Sequence, residues 1–309
     1  MSQVFERDLK KLGWRGWLYA LWKFARPHTI IGTTLSVWGV YFIAYALHRD
    51  LSLIAPLGAW VACLCGNVYI VGLNQLEDVA IDKINKPHLP IAAGEFSQRT
   101  GQIIVALTGA IALLLAWLLG PYLFGMVAIS LAIGTAYSLP PIRLKRFPFW
   151  AAVCIFSVRG AIVNLGLFLH FGWVSQVNPE IPRIVWALTA FILVFTFAIA
   201  IFKDIPDIEG DRQYQITTLT IKLGQKPVFD LARWVLTACY LGIIIAGLRL
   251  PAVNNIFLVS THIIALSIMW WQSRHVNLHD KSAIASFYQF IWKLFFVEYL
   301  LFPAACLLA

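Results

Sequence analysis

Nine mostly apolar stretches, each 18 to 26 residues long, divide this chain and leave it few ways to fold. They run over 29–47, 52–77, 101–119, 121–138, 149–171, 183–203, 228–248, 253–272 and 285–308. A helix needs about 20 apolar residues to cross the roughly 30 Å hydrocarbon core of a bilayer. Inside that core every backbone N–H and C=O must find its partner within the protein, which a helix provides residue by residue. The expectation is an all-α integral membrane protein with nine transmembrane helices over 29–309. A basic, aromatic segment at 1–28 would lie along the membrane surface. The charged fraction agrees, at 13% against about 25% for soluble domains. Only Gly120 lies between the third stretch and Pro121, which opens the fourth, and this predicts a tight antiparallel hairpin.

Lys and Arg accumulate on the cytoplasmic side of a membrane protein, so their distribution orients the bundle. Alternating the nine spans puts 18 of them on the side of the N-terminus and 3, Arg49, Arg183 and Arg249, on the other. The N-terminus is therefore expected in the cytoplasm and the C-terminus opposite. The net charge of +9 is then a topology signal, with no need of nucleic acid as a partner. All five cysteines sit inside apolar runs and read as small core residues. Neither a cleavable signal peptide nor a Ser/Arg-rich, acid-poor leader precedes the first span. That favours a bacterial, cyanobacterial-type inner or thylakoid membrane.

The acids are far less evenly spread. Two windows totalling 17 residues, 74–82 and 204–211, hold seven of the chain's 15 acids. Each follows an even-numbered span, so both belong to the cytoplasmic face. Asn74, Asp78 and Asp82 are four and eight residues apart, which on one helix gives them a common face. Asp204, Asp207 and Asp211 have three- and four-residue spacing, with Pro206 set to distort the turn. Like charges so close call for a cation between them, and oxygen-only donors select a hard one, Mg2+ first. Basic residues surround both clusters: Lys23 and Arg26 before the first span, Lys86 after the first cluster, Arg143 and Lys145 in the fourth loop, and Lys203 beside the second cluster. Acids and bases on one face are what a Mg2+-bridged diphosphate requires. Neither a P-loop nor a G-x-G-x-x-G occurs, so the phosphate is not held in the manner of a nucleotide fold. A cation-coupled transporter is the reading from another class. Its ions would bind near the bilayer midplane within broken helices, whereas both clusters here stand at span ends beside basic loops.

These motifs resemble the UbiA superfamily of intramembrane aromatic prenyltransferases. N-x-x-x-D-x-x-x-D at Asn74, Asp78 and Asp82 and D-x-x-D-x-x-x-D at Asp204, Asp207 and Asp211 carry the likeness. FARPHTIIGT (24–33), YSLPPIRLKRFP (137–148) and FYQFIWKLFFVEYLLFP (287–303) extend it from about residue 20 to the C-terminus. Leu89 stands where members using 4-hydroxybenzoate usually have Arg, so the pattern is that of the homogentisate-using branch; Ala93 replaces a frequent Ser. The resemblance implies transfer of a phytyl or other prenyl group from its diphosphate to homogentisate, with loss of CO2. It implies Mg2+ held by Asp78 and Asp82 and by Asp207 and Asp211, assisted by Asn74 and Asp204, these acids being the catalytic set. Lys86 and Lys145 are implied diphosphate contacts, with Lys23, Arg26, Arg143 and Lys203 around them. A solanesyl donor is the alternative within the family.

The spans contain a few polar residues that need an account. Arg159, with Asn164 five residues on, either meets the aromatic substrate's carboxylate or snorkels to the interface. Tyr137 is a candidate wall of the aromatic-substrate site or an interface anchor. Lys293 and Glu298 suggest an internal charge pair or polar packing.

Overall fold

The computed structural model describes residues 2–48, 54–177, 180–213 and 218–309, with the side chains of 2–7, 9, 10 and 209–211 left out of the description. Its elements are all helical. Helix α1 (Ser2–Phe24) precedes the first span, α2 (Pro27–His48). Then come α3 (Ala55–Glu77), α4 (Val79–Asn85), α5 (Gln98–Leu119) and α6 (Pro121–Ser138). The fifth span is composite: α7 (Pro148–Phe156), a π-helical turn (Ser157–Ile162) and α8 (Val163–Val174). Beyond it lie α9 (Arg183–Phe202), the short α10 (Ile208–Gln213) and α11 (Leu219–Leu223), then α12 (Gln225–Gly247), α13 (Asn255–Ser273) and α14 (Lys281–Leu307). Among the described residues nine helices are long and apolar enough to cross a membrane, and their ends fall within four residues of those expected.

Six spans form an inner ring. α2 packs on α3 and α14, α6 joins α3 to α8, and α9 joins α7 and the π turn to α14. α5 covers α3 from outside, while α12 and α13 cover α9 and α14. The hairpin expected at Gly120 is present, with that residue at φ +136°, open to glycine but strained for other residues. Gly160 lies in the π turn, and a Cβ there would come within 2.5 Å of the Leu193 backbone. Only glycine lets the turn meet α9 this closely, which matters because the turn also carries Arg159. α1 is two-faced and broken at Gly13 (φ +68°). Ala20 and Phe24 pack with Phe96, Ile104 and Val105, while Trp14, Leu18, Tyr19 and Trp22 stay exposed.

Lys293 and Glu298 do not pair. Lys293 is exposed on the outside of α14, whereas Glu298 is fully buried. Tyr240 Oη of α12 donates to Glu298 Oε1 at 2.8 Å, and His262 Nε2 of α13 lies 2.9 Å from Oε2. This is the polar packing among the two expected alternatives, its partners supplied by other helices. Removing one member strands the others in a dry core, at a cost of about 3–5 kcal/mol. Glu298→Leu is therefore expected to lower the unfolding temperature in detergent strongly. Substrate KM should not move in the fraction that remains folded, because the cluster lies outside the cavity described next.

Candidate active site

The first acid cluster is built on a helix that stops. α3 ends at Glu77, Asp78 takes φ −108°, ψ 18°, and α4 restarts at Val79. The single continuous helix expected over 74–82 is thus interrupted at its central acid. The i, i+4 relation survives the break: Asn74 Nδ2 donates to Asp78 Oδ2 at 2.9 Å, and the Asp82 N–H bonds to the Asp78 carbonyl at 2.8 Å. The cations between the carboxylates are side chains. Lys145 Nζ lies 2.7 Å and Arg143 Nη2 3.2 Å from Asp78 Oδ1, and Arg26 Nη2 donates to Asn74 Oδ1 at 3.1 Å. Burial pulls the Lys145 ammonium below its ordinary pKa, against the opposing pull of Asp78.

The second cluster sits on turns after α9. Asp204 pairs with Lys203 at 2.7 Å, and Asp207 with Lys86 at 2.5 Å. Lys86 follows α4, so this contact ties the two clusters directly together. Asp204 and Asp207 lie on turns around Pro206, where the backbone is not helical. The backbone of Asp211 is in α10, and its side chain lies outside the described residues.

Both clusters open onto one cavity of about 890 Å³ enclosed by the inner ring. Asn74, Asp78, Asp82, Asp204 and Asp207 line it, as do Lys23, Arg26, Lys86, Lys145 and Lys203. Tyr137 and Arg159 line it too. Lys23 is also paired with Glu95. Arg143 grips Asp78 without forming part of the wall. Asn164 is a correction: it is fully buried behind the wall, its amide donating to Gly160 O at 2.8 Å and its carbonyl accepting from Tyr299 Oη at 2.9 Å. An amide so committed props the π turn. The deeper wall is largely apolar, with Cys63, Ile70, Met126 and Val127. Met126 stands twelve residues before the end of α6, about 18 Å along that helix.

The cavity also exposes groups that sequence reasoning passed over. His28 packs its ring on Trp292, centroids 4.8 Å apart, and His88, Tyr288 and Gln289 complete the mouth. A signal was present in the two Pro-His pairs, Pro27-His28 and Pro87-His88, each at a border between polar and apolar sequence.

The donor set fits a hard divalent cation. Asp82 is 4% exposed and its Oδ2 has no hydrogen-bond partner, an orphan that a metal would satisfy. Burial raises its carboxyl from 3.8 to about 6. Among the described residues no three acids, histidines or cysteines form a ready-made cage. Mg2+ is commonly held that way, by one or two carboxylates with water and substrate phosphate supplying the rest.

Comparison with known proteins agrees with this arrangement. The profile of the UbiA prenyltransferase family matches residues 33–294. The chain belongs to the UbiA prenyltransferase family. A homogentisate phytyltransferase from Synechocystis sp. is 56% identical over 295 residues, 93% of this chain and 96% of that one. Homogentisate phytyltransferase 1, chloroplastic, from Arabidopsis thaliana is 42% identical over 309 residues, covering 97% and 79%. The UbiA homolog from Archaeoglobus fulgidus, solved with GPP and Mg2+, superposes with a TM-score of 0.65 at 15% identity, over 92% of this chain and 99% of that one. At that identity the likeness speaks for a UbiA fold. Family membership sets the transporter aside.

Proposed function

We propose that this chain transfers a phytyl group from phytyl diphosphate to homogentisate, with loss of CO2 and release of diphosphate. The observation that carries the reading is one cavity with carboxylates and cations at its mouth and apolar walls below. Charge and hydrocarbon of a prenyl diphosphate match those two ends. The 56% identity to a homogentisate phytyltransferase supports the acceptor and donor. The 18-to-3 split of basic residues supports a cytoplasmic mouth, and the Synechocystis relative supports a cyanobacterial-type membrane.

In this reading Asp78 and Asp82 would hold one Mg2+ and Asp207 with Asp211 a second, with Asn74 and Asp204 assisting. Bound there, the ions would neutralise the diphosphate as the allylic C–O bond breaks. Lys86, Lys145 and Lys203, whose carboxylate partners would hold the ions, would then be free to contact the diphosphate oxygens. Lys23 and Arg26 guard the entrance. Tyr137 and the ring-lined walls keep water from the allylic cation. Arg159 receives the acceptor's carboxylate. The test is to incubate the protein in nanodiscs with homogentisate, Mg2+ and phytyl, geranylgeranyl or solanesyl diphosphate. Methyl-phytyl-benzoquinol should dominate by mass spectrometry, and a preference for the solanesyl product would overturn the donor.

Asp82 makes the reaction sensitive to pH. Its carboxyl must be ionised to bind metal, and burial holds it protonated up to about pH 6. At limiting Mg2+, activity should fall as pH drops through about 6. Saturating Mg2+, competing with the proton, should move that limb to lower pH. In the metal-free protein the sign for stability is opposite. A carboxyl with a raised folded value favours the fold below its unfolded value, and that contribution is lost as pH rises from 3.8 through about 6. Melting curves against pH, with and without Mg2+, check both.

A further inference from the structure

Three observations put an imidazole on the same cavity wall as Arg159. The His28 ring lines the cavity and rests on Trp292, centroids 4.8 Å apart. The same indole also carries Arg159, whose guanidinium carbon is 5.3 Å from the ring. Arg159 also lies over Gly32, where a Cβ would come within 3.0 Å of its Nη1. His28 and Gly32 are four residues apart on α2, on one face and about 6 Å along the axis. The imidazole and the guanidinium thus stand one helical turn apart on the same wall. Neither His28 nitrogen is hydrogen-bonded to the protein among the described residues, and the charged groups acting on it are Arg26, Arg159 and Lys86.

The reaction proposed above needs a group of this kind. The ring's π electrons form the new C–C bond, and the allylic C–O pair leaves with the diphosphate. The ring carbon that is attacked must then lose its proton so that the C–H pair restores the aromatic ring. When the side-chain carboxylate departs as CO2, its C–C pair stays on the methylene carbon, which takes up a proton to become methyl. One proton leaves the ring and one is consumed close by, so the sum is zero.

We propose that His28 is a catalytic residue of this site, taking the proton from the ring of a hydroxyphenylacetate held on Arg159 and returning it to the side-chain carbon. The proposal rests on the acceptor assignment above. An acceptor with its carboxylate on Arg159 would set its ring against Trp292, in reach of the imidazole. The carboxylates of the site are engaged by Lys86, Lys145 and Lys203 in the unliganded protein or, in the reading above, would hold the ions, which leaves His28 as the base on this wall without such a commitment.

His28→Gln keeps a polar, hydrogen-bonding side chain without proton transfer near neutral pH, and His28→Ala opens a hole for added imidazole. General acid–base catalysis is worth about 10²–10⁴-fold, so kcat should fall by that order in both, with the KM for prenyl diphosphate and the melting temperature unchanged. Imidazole should restore the alanine variant. Ring-deuterated homogentisate in ordinary water should leave deuterium in the product methyl group with the wild type. The imidazole-rescued variant should place less of it there. A His28→Gln enzyme within twofold of wild-type kcat overturns the role, and so does an alanine variant that folds but gains nothing from imidazole. If the wild type forms no product from homogentisate, the acceptor assignment falls and the role of His28 with it.

Discussion

Asp207→Asn is expected to lower kcat/KM for the prenyl diphosphate by a factor on the order of 10²–10³, the usual cost of losing one preorganised electrostatic contact to a developing charge. Asparagine preserves the shape and removes the charge. In the unliganded protein Asp207 is paired with Lys86 at 2.5 Å, so the substitution has two consequences. The second metal position loses its principal carboxylate, and Lys86 is left without its resting partner. The half-saturating Mg2+ concentration should rise along with the loss of rate, and excess Mg2+ should recover part of it. The KM for homogentisate should stay near its wild-type value. The pair is partly solvent-accessible, at 31% for Lys86 and 17% for Asp207, so its contribution to folding is small and melting should barely change. Unchanged turnover at every Mg2+ concentration would remove Asp207 from the reaction.

The same site shows what a sequence can and cannot display. The spans were legible because crossing a bilayer imposes both length and apolarity, and little else satisfies both. The clusters were legible because four-residue spacing survives small changes in the backbone. It survives even at Asp78, where α3 stops and α4 begins, which is why the break itself left no trace in the spacing. The π turn was hidden for a related reason: one extra residue per turn does not disturb the pattern of a uniformly apolar stretch. Asn164 was misjudged because its partners, Gly160 O and Tyr299 Oη, lie one turn and four spans away. Polar packing at Glu298 was among the expected readings, but its partners were hidden, since Tyr240 and His262 reach it from two other helices. His28 was overlooked because Pro27 beside it marks a helix start, and a histidine there resembles an ordinary interface residue. In each case the missing information was a contact between helices, which local spacing does not encode.

Arg159→Met is expected to separate stability from function. The guanidinium sits within the fifth span, over Trp292 at 5.3 Å and Phe295 at 5.7 Å, and no carboxylate pairs with it among the described residues. Cation–π contacts recover about 0.5–2 kcal/mol, while an unpaired charge out of water costs several. Methionine fills similar volume without that penalty, so the unfolding temperature of the substrate-free protein should rise. Acceptor recognition should collapse with it. A site built to pair with a charged group loses that binding when the group's partner is removed, and the KM for homogentisate should increase by about 10²-fold or more. Prenyl diphosphate, bound at the mouth by other residues, should keep its KM. Methylhydroquinone, which lacks the carboxylate, should be used equally by both enzymes. Arg159→Lys should recover little, since an ammonium cannot match the carboxylate with two parallel bonds or lie flat on the indole. The outcome that would sink this role is a lowered melting temperature with an unchanged homogentisate KM, for then the arginine is holding helices together. A charge kept inside the span against its own cost is otherwise best explained by the anion it waits for.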